Sequence, residues 1–446
     1  MDKRQRLIGL DMQNKQNRTF MRGVGIRFRY FFRQHPATLY IAKWWFISVV
    51  LGVCVGSVSA GFLFSLQWAT TMRESHLWLI ALLPLAGMLI VLLYHYFGKD
   101  VEAGNNLLID TIHAPGAIIP IKMAPLVYLG TIATHLFGGS AGREGTALQM
   151  AGAIADQFTR PFRLHANERK ILIIAAVGAG FGSVFGTPMA GALFGMEVFL
   201  IGRIKYDAIF PAFASAILAD VVARLWKAPH THYVMGSVPD MTLEYVIYAI
   251  LAGIAFGVCA ALFSKAMHVV GGAFKRRVVF PPLRPFVGGV IVAIAVWAMG
   301  STKYIGLGIP TIVESFGQQL PSYDFALKMA FTIITLAAGF KGGEVTPLFF
   351  IGAALGNTLS LFIPLPMGLL AGMGFVAVFA GATNTPLACM LMGVELFGAQ
   401  CGVYVAIACV VSYLLSGNSS IYSRQMIGEP KHGRFAAYIG KRLNEL

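Results

Sequence analysis

Charge is what this chain has least of: 12% of its 446 residues are Asp, Glu, Lys or Arg, where soluble domains carry about 25%. A soluble globular protein is thereby excluded. Thiol and imidazole chemistry is thin as well. The five cysteines (Cys54, Cys259, Cys389, Cys401 and Cys409) lie scattered in apolar stretches with no CxxC pair, which reads as inert packing rather than metal or redox chemistry. The ten histidines show no HExxH or similar spacing, so neither a metal nor a cofactor is expected. Nor is there a GxS dyad or paired-Asp constellation at workable spacing, and an intramembrane enzyme is not expected.

What is abundant is apolar. Hydrophobic residues make up 57% of the chain, and the mean hydropathy is +0.68. Runs such as 41–66, 77–97, 171–201, 245–270 and 349–378 can each cross a bilayer, which takes roughly 20 apolar residues in a helix. Others are shorter, or are interrupted by some of the 50 Gly and 20 Pro. That pattern predicts broken, re-entrant or half-length helices lining a protein-enclosed cavity. The expected class is an all-α, multi-pass membrane protein.

A net charge of +15 suggests nucleic acid until its distribution is considered. Nine Lys or Arg fall within residues 1–36, and Arg424, Lys431, Arg434, Lys441 and Arg442 fall near the end. Basic flanks beside membrane spans mark the cytoplasmic side, so both termini are expected inside. Residues 1–36 resemble a basic anchor on anionic lipid more than a cleaved signal. No nucleic-acid partner is expected. The roughly 30 residues after Leu415 are too few for a cytoplasmic domain pair.

The chain also repeats itself. GREGTALQMAGA (142–153) lies on GGEVTPLFFIGA (342–353) with a shift of 200, matching Gly142, Glu144 and Thr146 to Gly342, Glu344 and Thr346. GTPMAGALFGMEVF (186–199) lies on NTPLACMLMGVELF (384–397) with a shift of 198, matching Glu197 to Glu395. Two blocks in one order at nearly one offset define two halves, about 40–223 and 240–418. Residues 224–242 form a polar linker, so the spans fall at 37–223 and 243–418, with a C-terminal helix and tail at 419–446. Transporters built from two halves bind substrate where the repeats meet.

The repeated loops carry the chemistry. A Gly-rich turn opening a helix aims unpaired N–H groups and about half a positive charge at an anion. Two such starts brought together make a seat for a small anion. A carboxylate at membrane depth is costly by about 2.5–3.5 kcal/mol and marks a pathway or proton relay. Glu144 can fill the seat as a charge or leave it by taking a proton; the plainer alternative is an Arg143–Glu144 ion pair near the headgroups. Glu344 stands beside Lys341 with the same two readings. For Glu197 and Glu395, structural hydrogen bonding is expected.

These residues together resemble the CLC family of chloride channels and proton-coupled antiporters. GREGT resembles its GREGP element, whose glutamate is the external gate; GGEVTP resembles its GGxFxP element; GNSSIYS (417–423) resembles the stretch supplying its central tyrosine, here Tyr422. The departures are specific. Where the family's chloride-binding serine is expected stands AGNNLLIDTIH (103–113), which puts Asn105 or Asn106 in its place. GLGIP at 306–310 belongs to the second half. Thr146 replaces a proline, Glu344 and Thr346 enter the second loop, and Val198 stands at the antiporters' inner proton glutamate. This set is similar to the fluoride-exporting CLC-F branch.

The resemblance implies two inverted repeats with broken helices and a homodimer with a pore in each subunit. It also implies exchange of fluoride for protons, so the chain would be a secondary transporter and not an enzyme. Glu144 would be the external gate and proton acceptor, and Glu344 the inner proton-handling group. Asn105 or Asn106, Tyr422, Thr346, Val345, Arg143, Gly145 and Thr146 would line the anion path. An Asn amide offers two N–H donors where a serine offers one O–H, which suits a smaller, more strongly hydrated ion. The same asparagines also suit a helix cap. A chloride/proton exchanger or uncoupled channel is the alternative within the family.

Overall fold

The computed structural model describes residues 36–446, so the basic segment read at 1–36 lies, but for Pro36, outside the described residues. By its internal contacts the chain divides at residue 48. In the first unit, residues 36–48 are helical; the second unit, residues 49–446, holds every site residue named above. The first half contains α1 (Pro36–Ser75), α2 (Leu83–Phe97), α3 (Asn105–His113), α4 (Met123–Leu136), α5 (Glu144–Asp156), α6 (Ala166–Phe185), α7 (Pro188–Glu197) and α8 (Ile209–Leu225). The second contains α9 (Leu243–Arg277), α10 (Leu283–Met299), α11 (Ile309–Glu314), α12 (Asp324–Ala337), α13 (Val345–Leu359), α14 (Met367–Thr383), α15 (Pro386–Phe397) and α16 (Gly402–Leu415).

Helix length follows from where Gly and Pro fall. Among the described residues four stretches, 37–75, 77–97, 206–225 and 243–277, are long and apolar enough to cross a membrane. The 13 residues of α5 reach only about 20 Å into a hydrocarbon core of about 30 Å. Such short helices end, with their unpaired N–H groups, inside the protein. Glycine then lets them pack closely. A Cβ built on Gly352 of α13 would sit 2.0 Å from the carbonyl oxygen of Gly374 in α14, and one on Gly374 equally close to that of Gly352. Any side chain at either position drives the two backbones apart.

The two halves meet over stacked aromatics. Phe181 of α6 and Phe194 of α7 stack on Phe379 of α14 with centroids 5.9 and 5.8 Å apart, and Phe349 lies 4.0 Å from Phe375. All five rings are at most 1% exposed. Each half also caps a helix of the other. α7 and α15 both begin with Pro, which has no N–H, so the first free donors lie one and two residues on. Glu395 accepts from the amides of Met189 (3.0 Å) and Ala190 (2.8 Å). Glu197 accepts from those of Leu387 (3.1 Å) and Ala388 (2.9 Å). These matched glutamates are helix caps exchanged between repeats, in keeping with the structural bonding expected of them.

Residues 419–446, expected to hold a helix and tail, carry no α-helix but two short 3-10 helices, Gly433–Tyr438 and Leu443–Glu445. Gly428, Pro430 and Gly440 break helical continuity, and the segment folds back instead. Its strand β2 (Met426–Ile427) pairs in parallel with β1 (Leu200–Ile201), and Gln425 donates through Nε2 to the carbonyls of Val198 and Thr383, both at 2.7 Å.

Candidate functional site

The site is built where α5 and α13 begin. The loops ahead of them pair antiparallel: Gly142 N–H donates to Gly343 O (2.6 Å) and Gly343 N–H to Gly142 O (2.8 Å). A Cβ on Gly343 would lie 2.7 Å from the amide nitrogen of Gly145, so only glycine permits the approach. Two helix N-termini, one from each half, are thereby held face to face.

Glu144 is the first residue of α5, is 0% exposed, and bridges both starts. Its Oε2 accepts from the amide of Thr346 in α13 (3.0 Å) and from the amide of Arg143 (3.1 Å). Its Oε1 accepts from the Thr346 hydroxyl, and the Arg143 Nε stands 3.6 Å from the same oxygen. Three oriented donors and two helix dipoles act on one carboxylate, the environment that best suits a negative charge. A small anion placed there would meet the same donors.

Asn105 opens α3, and its Nδ2 lies 2.9 Å from where a Cβ on Gly145 would stand. Its Oδ1 is buried without a hydrogen-bond partner. A half-turn of the amide exchanges that acceptor for two donors. The Tyr422 hydroxyl is also buried without a partner, and both Glu144 and Glu344 lie within electrostatic reach of Tyr422. Buried polar atoms are nearly always paired in a folded protein; two orphans beside a carboxylate seat are therefore informative. Asn106 is engaged elsewhere, its Oδ1 accepting from the Arg424 amide at 3.2 Å.

The other residues singled out in the sequence divide between the seat and its supports. Val345, wholly buried, is the first residue of α13, and Glu344 is its N-cap. Among the described residues Glu344 forms no ion pair, because the Lys341 ammonium sits 3.9 Å from the centroid of the Tyr94 ring. The Thr146 hydroxyl pairs with that of Thr131 in α4 (2.6 Å). Behind the loop, His135 sets Nδ1 2.9 Å from the Thr131 carbonyl and Nε2 3.1 Å from that of Ala141. No sequence motif singles out His135, Arg73 or Lys328, although an ionisable residue inside an apolar stretch is the signal to look for.

Long apolar helices around paired half-helices whose N-termini share one carboxylate define a membrane protein with an ion path between two repeats. The chain belongs to the CLC family: residues 86–417 match the voltage gated chloride channel family model. A chloride/fluoride channel protein of Pseudomonas syringae pv. tomato is 54% identical over 401 residues, covering 89% of each chain. The solved structure of a CLC-type fluoride/proton antiporter superposes with a TM-score of 0.84 at 34% identity, covering 86% of this chain and 98% of that one. A slow cyanobacterial Cl-/H+ antiporter gives 0.73 at 21% identity, covering 84% of this chain and 94% of that one, a likeness of fold.

Proposed function

We propose that this chain is a secondary transporter that exports fluoride in exchange for protons and so protects its cell from fluoride. The observation that carries the reading is the Glu144 carboxylate seated on the N–H of Thr346, at the start of the opposite half's helix. Its relatives support the choice of ion: one is named a chloride/fluoride channel protein and one is titled a fluoride/proton antiporter.

In this mechanism ionised Glu144 fills the seat and blocks the path. On taking a proton it loses the charge that held it there, since hydrogen bonds to an ionised group are about twice as strong as neutral ones. The seat then passes to fluoride. Asn105 and Tyr422 supply further donors, Thr346 contributes its hydroxyl, and Arg143 and the backbone at Gly145 and Val345 shape the surroundings. Glu344 hands protons to and from the inner side, because Val198 stands where the resembling antiporters carry their inner proton glutamate. The protein works as a homodimer in a bacterial inner membrane. Arg203, Lys205, Arg424 and Arg442 gather about the paired strands, the side taken as cytoplasmic, with both termini on it.

Reconstituted wild type is expected to acidify the vesicle interior as fluoride leaves down its gradient, and chloride is expected to substitute poorly. The word channel in the syringae relative's name favours a second reading, uncoupled anion flow. Fluoride efflux without proton uptake would establish that reading and remove the exchange.

A further inference from the structure

Outside the Glu144 seat, a cavity of about 490 Å³ is bounded by α1 from Leu63 to Glu74, by Arg143, by Pro229–Thr231 and by the Thr302–Thr311 region. Its wall carries three cationic side chains, Arg73, Arg143 and Lys303, and one acid, Glu74. Lys303 is bound to Asp324 beneath the wall. Arg73 and Arg143 are buried, at 5% and 7% exposure, yet neither is fully paired. Arg73 donates through Nη1 to the His135 carbonyl (3.0 Å), and its Nη2 stands 3.5 Å from the exposed Glu74 carboxylate. Its Nε makes no hydrogen bond, and the Nε of Arg143 makes none either, standing only in a 3.6 Å ion pair with Glu144.

A further cation stands just behind the wall. Lys328 is 0% exposed and donates only to the carbonyls of Gly306 (2.8 Å) and Tyr304 (3.1 Å). Its Nζ lies 3.6 Å from where a Cβ on wall residue Gly308 would stand. Among the described residues each wall cation has a carboxylate in ion-pair range and Lys328 has none; a buried charge without a counter-charge is unfavourable by several kcal/mol. Cations outnumber the one acid on this wall, and low-dielectric walls with an excess of one sign focus field lines and concentrate the opposite ion.

We propose that this cavity is an anion-capture site, a second station that holds a hydrated monovalent halide before it displaces the Glu144 carboxylate. The volume is far larger than a bare halide, so the ion keeps part of its water shell. The guanidinium N–H groups of Arg73 and Arg143 replace the rest. Arg143 serves both stations, since its Nε lies 3.6 Å from Glu144 Oε1. The site deepens the exchange reading and rests on it for the direction of transport.

Halide flux measured against concentration in proteoliposomes tests the site. Arg73→Gln is expected to raise KM about fivefold, the effect of one unit charge about 4 Å away under water-like screening. The maximal rate should stay within about twofold, and Arg73→Lys should restore most of the affinity. Glu74→Gln, a change at an exposed position that folding tolerates, is expected to lower KM about twofold. Shifts of opposite sign support the site. Unchanged KM in Glu74→Gln and Arg73→Gln, or a loss of maximal rate alone in Arg73→Gln, overturns it. Each variant is assayed with fluoride and with chloride. A wild type that moves halide without protons then fails the exchange reading while its KM shifts still decide the capture site. A wild type that moves neither halide overturns both.

Discussion

Glu144→Gln is expected to abolish proton movement driven by a fluoride gradient, with coupled flux falling at least about 100-fold, the scale lost when a positioned proton-transfer group is removed. The amide is nearly the same shape as the carboxylate, so the paired loops at Gly142 and Gly343 should survive. What changes is charge. A primary amide cannot exchange a proton near neutral pH, and its NH2 group meets the N–H donors of Arg143 and Thr346 as one donor against others. Proton fluxes in vesicles clamped by a fluoride gradient, read with a pH dye, measure this directly. Retained coupling would move the proton-accepting role to another group, with Glu344 the first candidate.

The second large effect is expected at Asn105. Hydrogen bonds to charged groups contribute about 1.5–3 kcal/mol each, so losing one donor costs roughly 10- to 150-fold in affinity for an ion that depends on it. Asn105→Ala is therefore expected to weaken fluoride binding by at least about tenfold and chloride binding by less. The ratio of the two dissociation constants, obtained by calorimetry, should collapse toward unity. Asn106→Ala is the control. Its Oδ1 holds the Arg424 amide, so it should loosen the C-terminal segment and lower thermal stability while largely sparing that ratio. An intact preference in Asn105→Ala would assign fluoride recognition to Tyr422 and Thr346 instead.

Much of this architecture is legible in the sequence because its signals are local. The loops GREGT and GGEVT announce helix starts through glycine, and the Thr-Pro pairs at 187–188 and 385–386 announce two more. The matched spacing of Glu197 and Glu395 reflects caps exchanged between halves, although which donors they meet only the fold reveals. The features that are not legible depend on contacts far apart in the chain. Asn105 and Asn106 are chemically equal until Arg424, more than 300 residues away, engages one of them. The partner of the Thr146 hydroxyl, Thr131 on α4, is marked by no signal in the sequence. The C-terminal segment looks helical by resemblance, and its glycines and Pro430 lead it into a short strand, turns and 3-10 helices with no α-helix. The buried cations Arg73 and Lys328 escape notice because neither lies in a repeated or Gly-rich motif.

In this mechanism the Glu144 carboxyl and the transported anion compete for one seat, so that seating the anion drives a proton onto the carboxyl. Titrating fluoride into weakly buffered, detergent-solubilised protein while recording pH measures that linkage. Wild type is expected to take up close to one proton per fluoride bound, and Glu144→Gln to bind fluoride with almost no uptake. Fluoride binding without proton uptake in the wild type, or equal uptake in both proteins, would contradict the shared seat.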